Sequence, residues 1–192
     1  RNVVLKLKTA PDPAAGIVDQ YELGPYNLII LGEPSRWRGE FRSWFEAGVA
    51  QAVTVMAPCS VLVARDSLDR NGFFICTDGT ARSMQAVRRA AVLAHTVGQP
   101  ITLFSVARTA DEESAAEDNV NNARALLKAI GIKVKDARTT VGDPAAQIIE
   151  QGSDHQLIVV SDEGRSRLQR AIRGSTAYSV VRGARTSVLD VR

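Results

Sequence analysis

The chain repeats itself. Asp12-Pro13-Ala14-Ala15-Gly16-Ile17-Val18-Asp19-Gln20 returns as Asp143-Pro144-Ala145-Ala146-Gln147-Ile148-Ile149-Glu150-Gln151. The match continues in the same order, Asn27-Leu28-Ile29-Ile30-Leu31-Gly32 with Gln156-Leu157-Ile158-Val159-Val160-Ser161, then Ser60-Val61-Leu62 with Ser187-Val188-Leu189. Ordered self-similarity of this kind means two homologous units built on one supersecondary plan. They are unequal, because the stretch between Arg70 and Thr140 has no counterpart ahead of the first unit. Residues 1–66 therefore read as the C-terminal part of a first domain, and 71–192 as a complete second one. No signal-peptide pattern follows Arg1, and the missing counterpart favours a chain that is a fragment of something longer.

The second unit alternates strand and helix. Phe73-Phe74-Ile75-Cys76 is a short apolar strand closed by the turn pair Asp78-Gly79. From Ser83 to Val97, Ala86, Val87, Ala90, Ala91 and Ala94 recur at helical spacing, and Gly98 ends the helix. Ile101 to Val106 gives a second strand and Glu112 to Ile130 a second helix, ended by Gly131. Ile132 to Val141 is expected as a third strand. Gly142-Asp143-Pro144 then starts a helix with Asp as N-cap and Pro at the first helical position. Leu157 to Val160 follows as a strand buried on both faces, and a final helix and strand complete the unit. Strands interleaved with helices predict an α/β fold with a doubly wound, mainly parallel five-stranded sheet. Its ligand site is expected beyond the carboxyl ends of the strands, where strand order reverses.

Composition narrows the function classes. The 192 residues are 45% hydrophobic and 23% charged, enough for a real core, and 24 Lys+Arg against 21 Asp+Glu leave a net charge of only +3. Nothing in that balance demands nucleic acid, and basic patches interleaved with aromatics are missing: Trp37, Trp44 and Phe45 form one isolated cluster, read as interdomain packing. The longest apolar runs fall far short of the roughly 20 residues that span a bilayer, so no direct membrane contact is expected. Cys59 and Cys76 make neither a disulfide framework nor a metal-ligand spacing, which suits the cytoplasm. His95 and His155 lack the spacing and carboxylate neighbours of a zinc site. P-loop, nucleophile-elbow and Gly-x-Gly-x-x-Gly signatures are absent, which disfavours catalysis.

Thr77-Asp78-Gly79-Thr80 follows the first strand of the second unit, and Ser161-Asp162-Glu163-Gly164 the fourth, with Gly174-Ser175-Thr176 ten residues on. A strand ending in Asp-Gly-Thr, the Gly142-Asp143-Pro144 helix start and a Gly-x2-Gly-x9-Gly-Ser/Thr-type loop make the segment from Gly72 to Arg192 resemble the universal stress protein family. The resemblance extends to Val3–Arg65, where Ala57-Pro58-Cys59-Ser60-Val61-Leu62-Val63 looks like the family's closing strand. It implies a Rossmann-like fold of the adenine nucleotide alpha hydrolase-like kind, and a tandem protein with an incomplete first domain. It also implies a site for an adenine nucleotide (ATP with Mg, ADP or AMP) at Thr77, Asp78, Val106, Ser161, Gly164, Arg165, Gly174, Ser175 and Thr176. In that site Asp78 would contact the adenosine, Gly164 and Gly174 would let the backbone close on the ligand, and Ser175 and Thr176 would donate to phosphate. The physics is independent of the resemblance: glycine admits close approach to an anion, and a helix start offers amide hydrogens and a positive dipole end.

Each residue also has a plainer reading. Asp-Gly is a common turn pair, Ser175 is a ready helix cap, and Arg165, Arg167, Arg170 and Arg173 fit a solvated face as well as a phosphate clamp. Asp12 and Asp143 are explained by capping alone, and the cysteines by burial. Ser161 departs from the pattern, standing where the first loop glycine belongs, and Asp162-Glu163 place carboxylates beside the phosphate path. The first unit's loop, Gly32-Glu33-Pro34-Ser35 onward, is degenerate, and no nucleotide is expected there.

Two functions follow. The first is a nucleotide-binding stress-response or regulatory protein with at most weak ATP hydrolysis. The second is a nucleotide-free module for pairing and partner recognition, including the cytosolic regulatory end of a transporter or kinase. The closing strands Val61-Leu62-Val63 and Val188-Leu189 are bare apolar edges. They predict a pseudo-twofold contact between the two units and a homodimer formed through the same strands.

Overall fold

In the computed structural model the described residues are 3–32, 46–66, 69–161 and 176–192. The first unit contributes α1 (Pro13–Glu22), β1 (Leu28–Gly32), α2 (Glu46–Met56) and β2 (Ser60–Ala64). The second contributes β3 (Phe73–Cys76), α3 (Ala81–Thr96), β4 (Ile101–Ala107), a 3-10 turn (Ala110–Glu112), α4 (Glu113–Ala129), β5 (Asp136–Val141), α5 (Pro144–Gln151), β6 (Leu157–Ser161), α6 (Thr176–Gly183) and β7 (Ser187–Val191). The helix starts follow the chemistry in the sequence. Asp12 accepts from the amides of Ala14 and Ala15 and Asp143 from that of Ala146, each followed by proline in the first turn.

The seven strands form one sheet in the order β1-β2-β7-β6-β3-β4-β5. The expected parallel five-stranded sheet of the second unit is the run β7-β6-β3-β4-β5, and its order reverses between β3 and β6. The closing strands join the units: β2 and β7 pair antiparallel with Leu62 opposite Leu189, on a pseudo-twofold between them. That junction corrects the expected route to a homodimer through these strands. Each closing strand is already hydrogen-bonded on both sides, β2 to β1 and β7, β7 to β6 and β2, so neither offers an edge to another chain. Among the described residues the sheet ends at β1 and β5.

Side-chain alternation divides the core into two layers. On one face Ile29, Val61, Val63, Ile158 and Val188 meet helices α1, α2, α5 and α6 through Ala14, Val53, Ile148 and Val180. On the other, Leu157, Val159, Leu189 and Val191 lie with Ala86, Val87, Ala90, Ala91 and Ala94 of α3 and Val120, Ala123 and Leu127 of α4. The alanine stripe of α3 is the reason that helix seats closely, and Phe74 packs on Phe104 at 4.7 Å between ring centroids. Burying each such ring is worth roughly 1.5–3 kcal/mol.

Two boundaries differ from the sequence reading. The third strand begins at Asp136, not Ile132, because Ile132 is buried as the chain returns from α4 to the sheet; pairing starts where the Lys135 amide meets the Ile101 carbonyl at 2.9 Å. Helix α3 begins at Ala81 because Thr80, whose hydroxyl accepts from the Ser83 amide, is its cap.

Candidate functional site

The carboxyl ends of β3 and β6 sit side by side at the switch point. Ile75 registers with Val159, and two residues further along each chain come Thr77 and Ser161. Adjacent strands lie about 4.8 Å apart, so these two positions flank one crevice. Val106, near the end of β4, is half-buried against the α5 and α6 layer. Thr176 opens α6, also half-buried. Thr77, Asp78, Val106, Ser161 and Thr176 thus lie at strand ends or helix starts on the carboxyl side of the sheet. Gly164, Arg165, Gly174 and Ser175 lie outside the described residues, as do Asp162, Glu163, the other arginines of that loop, the degenerate loop from Glu33 and the Trp37, Trp44 and Phe45 cluster.

The turn after β3 is tightly built. The Thr77 hydroxyl lies 3.0 Å from that of Ser83 and accepts from the Gly79 amide at 3.2 Å, so it is spent inside the turn and Thr77 acts by positioning. Gly79 takes φ +76, a left-handed conformation that glycine adopts without penalty. A Cβ there would fall 1.9 Å from Asn119 Oδ1, so Asn119 of α4 closes over the turn. Asp78 is exposed, and its Oδ1 accepts from both the Thr80 amide at 3.1 Å and the Thr80 hydroxyl at 2.7 Å. Among the described residues Oδ2 has no hydrogen-bond partner. One carboxylate oxygen therefore fixes the side chain in an Asx-type turn and the other faces no competitor. Such a carboxylate accepts hydrogen bonds from a diol or an amine without reorganising.

Ser83 and Asn119 support this turn and were not singled out from the sequence. The Thr80-x-x-Ser83 capping spacing is the signal that would have found the first; Asn119 is a contact across elements and leaves none.

The other titratable candidates are structural. Cys76 is buried at the end of β3, and desolvation pushes its thiol far above the ordinary range; burial raises Cys59 as well. Neither is a thiolate nucleophile near neutral pH. His95 is exposed on α3. His155 lies at the amino end of the sheet, away from the crevice, its Nε2 3.2 Å from the Thr102 hydroxyl and its ring 4.8 Å from Phe74; burial, aided by Arg138, lowers its pKa. Among the described residues no cluster of three His, Cys, Asp or Glu could hold a metal ion, and no helix is long and apolar enough to cross a membrane.

Residues 73–192 match the model of the universal stress protein family. No curated protein matches the chain in sequence. Among solved structures, a universal stress protein from Archaeoglobus fulgidus DSM 4304 superposes with a TM-score of 0.73 at 19% identity, covering 98% of this chain and 68% of that one. A universal stress protein in complex with cAMP superposes at 0.57 with 26% identity, over 64% of this chain and 97% of that one. Another from Archaeoglobus fulgidus, in complex with dAMP, gives 0.51 at 16% identity, over 64% and 98%.

Proposed function

The chain belongs to the universal stress protein family, and on that premise we propose that its second unit binds an adenine nucleotide at the β3–β6 crevice and serves a regulatory, stress-response role in the cytoplasm without fast turnover. The observation that carries this reading is the Asp78 carboxylate, held at the switch point by Thr80 with Oδ2 uncommitted among the described residues. A ribose hydroxyl or the adenine amine is a suitable donor for that oxygen. Support comes from the 26%-identical universal stress protein solved in complex with cAMP. The carried-over Gly164, Gly174, Ser175 and Thr176 would supply the phosphate side, where a helix start favours negative charge. Arg165 would neutralise part of that charge, and Mg would accompany ATP if the triphosphate is the ligand.

A second reading, a nucleotide-free pairing module, is favoured by Ser161. It stands at the end of β6, where a glycine would give closer backbone approach.

Native mass spectrometry of the whole chain with AMP, cAMP, ADP and Mg-ATP separates the two. One nucleotide per chain is expected, with Asp78→Asn weakening binding by about tenfold or more, as losing a charge-assisted hydrogen bond does. Absence of any bound nucleotide across the series would leave the pairing module.

A further inference from the structure

The two copies of the Asp-Pro-Ala-Ala helix start part at the next residue. Asp12 and Asp143 are equivalent caps, so Gln147 of α5 stands where α1 has Gly16, and Gly142 where the first unit has Pro11. The unit that carries the crevice therefore has a carboxamide at a position where the other unit has no side chain.

Both positions lie at the carboxyl end of the sheet. Gln147 is in the first turn of α5, which leaves the end of β5, and a helical Cβ is tilted towards the N-terminus of its helix. Gly142 takes φ +149, and a Cβ added there would fall 3.3 Å from Gln147 Cγ, so the glutamine lies against bare backbone. The Gly142 amide donates to the Ala107 carbonyl at 2.8 Å, which draws the turn before α5 onto the end of β4. Val106, one residue earlier, registers with Thr140 and shares an apolar layer with Ala145 and Ile149 of α5. Val106, Thr140 and Gln147 thus make one corner at the ends of β4 and β5, an apolar floor flanked by a hydroxyl and an amide.

The amide is weakly committed. The Thr140 hydroxyl reaches its Oε1 only at 3.5 Å, the outer limit of a hydrogen bond, and among the described residues Nε2 has no partner. Gln147 is half-buried, packed on one side and open on the other. The strands run in the order β6, β3, β4, β5, so this corner lies two strand spacings, roughly 10 Å, from the end of β3 on the side away from β6.

We propose that Gln147 reads the base of the nucleotide and selects adenine. The inference rests on the adenine-nucleotide reading of the crevice and adds to it which side chain chooses the base. With phosphate on the β6 and α6 side and Asp78 on the ribose, the base extends over Val106 towards Gln147. A carboxamide presents a donor and an acceptor side by side, the complement of the adenine amine and N7. Hypoxanthine and guanine offer two acceptors along that edge and cannot return both bonds.

Isothermal titration of the whole chain with AMP and IMP, which differ only in the base, tests this. A preference for AMP of about tenfold or more is expected. Gln147→Leu, close in size but without polar atoms, should bring the two affinities within about twofold of each other. Asp78→Asn should weaken both nucleotides alike and leave their ratio unchanged. The ratio is read within one protein, so a loss of stability common to both ligands does not move it. No preference for AMP, a ratio unmoved by Gln147→Leu, or a ratio moved by Asp78→Asn instead would overturn the proposal while leaving the nucleotide site standing. Binding of neither nucleotide would overturn that site and this inference together.

Discussion

Arg65 and Arg192 occupy the same position of the two copies and clasp each other's units. The Arg65 amide donates to the Ser187 hydroxyl, and the Arg192 amide to the Ser60 hydroxyl, both at 3.0 Å. The Arg65 guanidinium reaches the Val181 carbonyl of α6 at 2.7 Å, and that of Arg192 the Thr54 carbonyl of α2. Thr54 and Val181 are themselves equivalent in the repeat, so each closing strand places a cation against a C-terminal carbonyl of the other unit's helix, where the helix dipole favours it.

The symmetry breaks in charge at one position of the closing strands. Asp190, fully buried, stands where the first copy has Val63, and it ion-pairs with Arg192 at 2.9 Å. Arg65→Ala removes hydrogen bonds from a charged donor and should cost about 1.5–3 kcal/mol. Arg192→Ala also removes an ion-pair partner from a buried carboxylate and should cost more, about 3–5 kcal/mol. Urea denaturation of the two variants checks the order; a smaller loss at Arg192 would mean that Asp190 is accommodated without it.

Gly79→Ala should destabilise the second unit by about 1–2 kcal/mol from backbone conformation alone, with the added contact on Asn119 on top. Combining it with Asn119→Ala should recover the contact part and leave the conformational part. Thermal melts of both variants measure the two separately. Because the turn holds Asp78, Gly79→Ala is also expected to weaken nucleotide binding, and the double variant to restore part of it.

His155 makes stability depend on pH. Its pKa is lowered in the folded state by burial and nearby Arg138, so the fold favours the neutral ring. The contribution is fully present above the unfolded value near 6.5 and is lost as pH falls through it, because the unfolded chain then binds the proton more readily. The difference in urea midpoint between pH 8 and pH 5.5 should shrink in His155→Phe. An unchanged difference would assign the dependence to other groups.

Asp12→Ala and Asp143→Ala should each cost about 1 kcal/mol as lost N-caps. Asp12 accepts two amides and Asp143 one, so the first loss should be the greater. Denaturation midpoints of the two single variants provide the comparison.

Much of this was legible in the residues. The repeat located the equivalent elements, the alternation of strands and helices gave the doubly wound sheet, and the apolar closing strands announced their pairing. Local capping chemistry placed the starts of α1 and α5 to the residue. Ile132 misled because burial and strand pairing leave the same apolar mark in a sequence, and only backbone direction separates them. The closing strands were expected to pair with another chain as well, and a related ambiguity lies behind that: an apolar strand shows that an edge is covered, not which strand covers it. The Arg65 and Arg192 clasp was present in the text as Ser-Val-Leu-x-x-Arg in both copies, but its meaning lies in carbonyls more than a hundred residues away. At the crevice, Asp78 could be read and Asn119 could not, since one is marked by its neighbours and the other by a contact between distant elements.

Strand β7 is the later in sequence of every pair it joins, and it sits between β6 and β2. The middle of the sheet is therefore the part closed last as the polypeptide is made. Until those five residues arrive, both halves present raw apolar edges to each other and to anything nearby, a long-range pairing that is slow to form and exposed to misassembly. Loss of a short stretch there would split the molecule along its centre rather than trim its rim, and quality control in the cell would meet two half-sheets.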